Sequence, residues 1–238
     1  MDKIENNIKI FGSKQMLAQY FGQLLKERTE QSDKINIALS GGSTPKAIFD
    51  ELAAKYANVI QWEKVFLFWG DERCVPPSDE QSNYKMTMDH LLSKVSIPKE
   101  NVFRVKGEME PQLACETYKK LLRDKLPQAD GLPQFDIMLL GMGDDGHTAS
   151  IFPHEIALWD AKADCVVATH PESAQKRISL TGEVINNSKE IFFLVTGAGK
   201  ADKLDEIIHQ KEGFQKYPAA RVANPVWLLD KEAAAKVG

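Results

Sequence analysis

INIALSGGSTPKAIFDELAAKYA, residues 35–57, changes its hydrophobic period halfway along. Ile35 to Leu39 read as a short buried strand. Ser40 to Lys46 then supply a turn of paired glycines, three hydroxyl residues and a proline. Beyond it Ile48, Phe49 and Leu52 share one helical face, which predicts a helix over 45–57 with Thr44 as N-cap and Pro45 at the first helical position. A buried strand running through glycines into an amphipathic helix is half of a strand–helix–strand unit, and such units build parallel sheets.

The same alternation continues on both sides. Strands are expected at 8–11, VFLFW (65–69), VFRV (102–105), FDIMLL (135–140), DCVVATH (164–170), RISL (177–180), IFFLV (191–195) and VWLL (226–229). Helices are expected from Ser13 to about Glu30, over 82–92, over 111–126 and over 200–210. Continuous apolar strands separated by amphipathic helices predict an α/β fold: a mostly parallel sheet with helices on both faces, a Rossmann-like three-layer sandwich. A small antiparallel insertion is expected around 160–185. With no internal repeat, long linker or compositional break, residues 1–238 are expected to form a single domain.

Composition narrows the function classes. At 238 residues, 43% hydrophobic and 27% charged, the chain can bury a core without disulfides or metal. A net charge of -4 argues against nucleic acid as the main partner, because phosphate backbones reward a basic face. Cys74, Cys115 and Cys165 are odd in number and widely spaced, which suits a reduced compartment and makes no zinc motif. The opening MDKIENNIKIF carries no apolar leader, and no apolar run is long enough to span a bilayer. The cytoplasm is the expected location.

In open α/β sheets ligands bind beyond the carboxyl ends of the strands, so the loops that follow strands are the informative ones. Gly41, Gly42, Ser43 and Thr44 open a helix and form a candidate phosphate cradle. Gly70-Asp71-Glu72-Arg73 puts three charges directly after a buried strand. Gly141-Met142-Gly143-Asp144-Asp145-Gly146-His147 matches G-x-G-x-x-G, but Pro153 precludes the long helix that a dinucleotide fold requires next. What remains is a glycine turn presenting Asp145 beside His147, the side chain best suited to accept a proton near neutral pH. Thr196-Gly197-Ala198-Gly199-Lys200 resembles a P-loop fragment, yet Leu194 and Ala201 break the pattern, so Lys200 is left as a point charge for one phosphate. Each loop alone also admits an ordinary structural reading as a turn, a cap or a solvated charge. Together they predict a site for a small phosphorylated, sugar-sized molecule with a histidine that moves a proton.

ALSGGSTPKAIFDELA, FWGDERCVPPSDEQSNY, LLGMGDDGHTASIFP, RISLTGEVINNSKEIFFLVTGAGKADKL and PVWLLD resemble the 6-phosphogluconolactonase family, over residues 8 to 230 or so. The resemblance implies hydrolysis of 6-phospho-D-glucono-1,5-lactone to 6-phosphogluconate in the oxidative pentose phosphate pathway, without cofactor or metal. It also implies a fold related to glucosamine-6-phosphate deaminases, the rival activity. Deaminases follow the histidine with a stretch ending Asn-Glu-Pro, whereas this chain has Ile151-Phe152-Pro153. Deaminases also favour an aromatic residue where Arg73 stands. Both departures favour the lactonase over the deaminase; a non-catalytic sugar-phosphate-binding module is the third alternative.

For a lactone substrate the expected roles follow. His147 is the general base and then the proton donor to the ring oxygen, with Asp145 or Asp71 orienting it. Arg73 lies near the lactone or its carboxylate product. Arg177 and Lys200 hold the phosphate with Gly41, Gly42, Ser43 and Thr44. The expected partner is that small phosphorylated sugar lactone, with no nucleic acid and no membrane, and a monomer is the expected state.

Overall fold

The structure is a computed structural model that describes residues 7–237. The reading of residues 1–6 as lacking a leader, and the last residue of the expected domain, lie outside that range. β1 (Ile8–Phe11) leads into α1 (Lys14–Gln31), capped by Ser13, whose hydroxyl accepts the Met16 N–H at 3.2 Å. β2 (Ile35–Leu39) and α2 (Ser43–Glu51) follow, and a π-helical turn extends α2 to Tyr56. Then come β3 (Val65–Trp69), β4 (Asp71–Arg73) and α3 (Asn83–Thr87), the last continued as a π-turn to Leu92. After α4 (Pro111–Lys125) come β5 (Gln128–Ala129), β6 (Leu132–Pro133) and β7 (Ile137–Leu140). The chain closes with β8 (Cys165–Thr169), β9 (Lys176–Leu180), α5 (Gly182–Asn186), β10 (Glu190–Val195), α6 (Ala201–Ile208) and β11 (Val226–Asp230).

Six strands form one sheet in the order β1-β11-β10-β7-β2-β3, and every neighbouring pair is parallel. Every residue of β2 and of β7 is buried, which requires cover on both faces and accounts for their apolar runs, interrupted in β2 by Asn36 alone, whose side-chain amide donates to Asp136. Strand order reverses at β2. The chain leaves β2 for β3 on one side, returns to β7 on the other, and continues away through β10 and β11. The crevice between β2 and β7 is therefore the topological switch point, where open α/β sheets bind ligands.

The antiparallel insertion is a three-stranded sheet, β4-β9-β8. Its edge strand β4 was not foreseen, because three charged residues carry no hydrophobic period. The helix expected over 45–57 starts earlier, at Ser43, with Gly42 as its N-cap. Gly42 holds φ at 106°, a conformation that ends the turn there and favours glycine. Thr44 is accordingly inside the helix and caps nothing. The strand expected over 102–105 reduces to a single bridge, with the Phe103 N–H donating to the Leu67 carbonyl at 2.8 Å. Phe103 instead packs its ring on Phe68, 4.8 Å between centroids, so side-chain stacking replaces the ladder. The segment after Lys125 contains the small β5–β6 hairpin, turned at Asp130 and Gly131 with φ of 52° and 77°. Among the described residues, no helix is long and apolar enough to cross a membrane.

Candidate active site

An open cavity of about 530 Å³ lies over the switch point. Ser40, Gly41 and Gly42 line it from the end of β2, and Gly141, Met142, Gly143, His147 and Ala149 from the end of β7. Asp71 and Arg73 of β4, Asn83 of α3 and Arg177 of β9 complete the wall. Three of the four loops singled out in the sequence thus meet here.

His147 Nδ1 lies 2.6 Å from Asp145 Oδ1, and the same oxygen accepts the His147 backbone N–H at 3.1 Å. Burial alone would raise the Asp145 carboxyl, but the hydrogen bonds and charge of His147 outweigh it and hold the carboxyl down, to about 2. Asp145 is therefore ionised and must accept at Nδ1, which leaves the lone pair of the neutral ring on Nε2. Nε2 makes no hydrogen bond to any described residue. The ring also packs on the fully buried Phe152, 4.7 Å between centroids.

Gly143 is what lets the pair form. A Cβ there would sit 2.1 Å from His147 Nδ1 and 2.7 Å from Asp145 Oδ1. Gly143→Ala is expected to keep the fold and push the imidazole off its carboxylate. Because small misplacements of a catalytic group cost on the order of 10²-fold, kcat should fall by about that much. Turnover per folded protein, with circular dichroism as the fold check, measures it; unchanged turnover would mean the pair is not required.

Asp71 makes no hydrogen bond to His147. It is buried, and its Oδ2 accepts the Ser150 hydroxyl at 2.6 Å while the Asn83 side-chain amide donates to its carbonyl at 3.0 Å. Of the two orienting candidates, Asp145 is thus the one in contact with the ring. Ser150 and Asn83 lie inside quoted stretches, but neither side chain has a chemical signature of its own that marks it as part of the site. A Cβ on Gly41 would come 1.9 Å from Asn83 Oδ1, so that glycine serves close approach.

Arg73 and Arg177 are direct cross-strand partners in the β4–β9 register. Each has a buried Nε with no hydrogen-bond partner, and neither makes an ion pair with a described residue. Burial, and then the neighbouring charge of Arg73, lower the Arg177 guanidinium from its ordinary value. Two adjacent cations with unpaired buried donors are chemically equipped to take an anion. Arg177 also lies over the Phe152 ring, 5.7 Å from its centroid.

The fourth loop stands outside the cavity wall. Lys200 Nζ pairs with Asp144 Oδ1 at 2.6 Å. Thr44 is buried, and its hydroxyl pairs with that of Thr196 at 2.8 Å, tying the first loop to the fourth. Ser43 is exposed at the start of α2 and does not line the cavity. Among the described residues, no group of three or more His, Cys, Asp or Glu is arranged to hold a metal ion.

Comparison with known proteins gives a consistent picture. The family described as glucosamine-6-phosphate isomerases/6-phosphogluconolactonase matches residues 13–228. A 6-phosphogluconolactonase of Treponema pallidum (strain Nichols) is 45% identical over 224 residues, which are 94% of this chain and 90% of that one. The solved structure of the Trypanosoma brucei 6-phosphogluconolactonase superposes with a TM-score of 0.85 at 32% identity, covering 98% of each chain. A monomeric glucosamine-6-phosphate deaminase shares the fold, with a TM-score of 0.81 at 19% identity over 97% of this chain and 99% of that one.

Proposed function

The chain belongs to the glucosamine-6-phosphate isomerase/6-phosphogluconolactonase family, and we propose that it is a lactone hydrolase of that family. It converts 6-phospho-D-glucono-1,5-lactone to 6-phosphogluconate in the oxidative pentose phosphate pathway. One observation carries this reading: a carboxylate-oriented imidazole and two guanidiniums with unpaired buried donors line the same cavity.

A lactone is a cyclic ester, so hydrolysis needs a base for water and a counter-charge for the carbonyl oxygen. His147 Nε2 takes a proton from water as its oxygen attacks C1. The negative charge that develops on the carbonyl oxygen is met by Arg73. The C1–ring oxygen bond then breaks, and the imidazolium returns its proton to the departing ring oxygen. Asp145 holds the ring in the required tautomer and stabilises the transient imidazolium.

Arg177 holds the phosphate, helped by the Gly41–Thr44 turn at the start of α2 and by Lys200, which leaves Asp144 for it. Adjacent arginines suit this substrate because the phosphorylated C6 arm and C1 both flank the ring oxygen. A guanidinium for each end therefore needs no wide separation. A monomeric single domain, acting in the cytoplasm without cofactor or nucleic acid, completes the proposal.

The choice of branch rests on Phe152. Its ring fills the space against His147 where the deaminase pattern carries a glutamate that helps open the sugar ring, and a phenyl ring moves no proton. The purified protein is expected to hydrolyse the phosphorylated lactone, measured above spontaneous opening at mildly acidic pH, and to release no ammonia from glucosamine-6-phosphate. Gluconolactone without phosphate should be much poorer in kcat/KM, since it leaves the cationic site unpaired. Equal kcat/KM for the two lactones, or comparable ammonia release, would overturn the reading.

A further inference from the structure

Glu72 is a buried carboxylate that the proposed mechanism does not use. It is 2% exposed and lies between Asp71 and Arg73, both of which line the cavity. Its Oε1 accepts the backbone N–H of Arg73 and of Asn83, each at 2.8 Å. Its Oε2 accepts the backbone N–H of Tyr84 at 2.8 Å and the Ser82 hydroxyl at 3.1 Å. All four partners donate, so only a group that accepts at both oxygens fits.

The consequence reaches the reacting end of the substrate. By holding residues 82–84 against β4, the carboxylate fixes the preceding residue, Gln81. The Gln81 carbonyl accepts from Arg73 Nη1, the one protein hydrogen bond of that guanidinium among the described residues. Arg73 Nε stays buried and unpaired at the cavity. The same grip positions Asn83, whose amide holds the Asp71 carbonyl at 3.0 Å.

We propose that Glu72 is a positioning residue for hydrolysis, a clasp between β4 and the start of α3 that aims the Arg73 guanidinium at the developing oxyanion. Glutamine cannot replace it. Either orientation of the amide turns an NH2 toward at least one backbone N–H, and leaving buried donors unmatched is costly. The loop that carries Gln81 then loosens, and Arg73 loses its aim while Arg177 on β9 keeps its own.

This proposal rests on the lactonase reading, and a double-mutant cycle separates the two. Arg73→Gln tests the reading: kcat should fall by about 10²–10³ if Arg73 meets the oxyanion. Glu72→Gln should lower kcat about tenfold or more, with KM for the phosphorylated lactone changed less than about threefold. The double variant should be no worse than Arg73→Gln alone, because residues acting through one another are non-additive. A merely structural loss of active protein would multiply the two effects instead. Glu110→Ala supplies the control: it removes a helix cap that accepts the Leu113 N–H at 2.9 Å and should lower stability without changing kcat per folded molecule. Should Glu72→Gln fail to fold, Ser82→Ala removes one of the four donors and enters the same cycle, with a loss of about threefold expected and the same non-additivity. Multiplying effects, or an unchanged kcat in the folded variant, would overturn the clasp while leaving the reading intact. No effect of Arg73→Gln itself would overturn both.

Discussion

Replacing His147 with asparagine should lower kcat by about 10²–10⁴, the usual contribution of a positioned general base. Asparagine preserves size and can still donate toward Asp145, so the glycine turn and Phe152 packing should survive. Its amide cannot take a proton from water. KM should change little, since the phosphate is held elsewhere. Wild-type kcat should also fall on the acid side of a profile taken across roughly pH 5 to 8, because a base already protonated by solvent cannot take a proton from water. Asp145 does not contribute to that limb, because its carboxyl is held at about 2 and stays ionised throughout. The variant should therefore lose the acid limb together with the rate. Catalysed minus spontaneous lactone opening across that range, with product affinity measured in parallel, gives both results. A folded variant with near-wild-type kcat would remove His147 from the mechanism and leave Asp71 as the next candidate.

Arg177→Gln should act on the other parameter. A hydrogen bond to a charged group contributes about 1.5–3 kcal/mol, so kcat/KM for the phosphorylated lactone should fall by about 10- to 150-fold, mostly through KM. The same substitution should leave kcat/KM for unphosphorylated gluconolactone nearly unchanged, because that substrate never used the contact. Arg73→Gln should instead lower kcat for both lactones. Steady-state kinetics of the two variants on the two substrates gives four numbers. If Arg177→Gln harms both lactones equally, the cation does not serve the phosphate.

Much of the scaffold was legible because burial leaves a periodic mark. A strand covered on both faces needs apolar residues at nearly every position: IMLL shows it throughout, and INIAL shows it except at Asn36, whose side-chain amide donates to Asp136. An amphipathic helix needs them on one face only, as in α1 and α4. The Asp145–His147 pair was legible for a related reason: two residues separated by one glycine meet by local geometry alone. So was the general position of the site, since strand-to-helix loops of a parallel sheet must gather at one edge.

Other features depend on partners distant in the chain, and no local pattern encodes those. Arg73 and Arg177 become neighbours only through the β4–β9 register. Thr44 read locally as a cap, but its hydroxyl pairs with Thr196 once the first and fourth loops meet. Lys200 read as a point charge for one phosphate, and only the folded chain shows Asp144 beside it. Glu72 read only as one of three charges after a buried strand. In the fold it is among the most buried carboxylates, because three backbone N–H groups and a hydroxyl converge on it. The amino-acid sequence by itself determined where apolar surface must be hidden, and with it the layers, the sheet edge and the histidine turn. Only the tertiary structure decided which donor faces which acceptor, because a buried polar group must be satisfied by whatever the packed chain brings within about 3 Å.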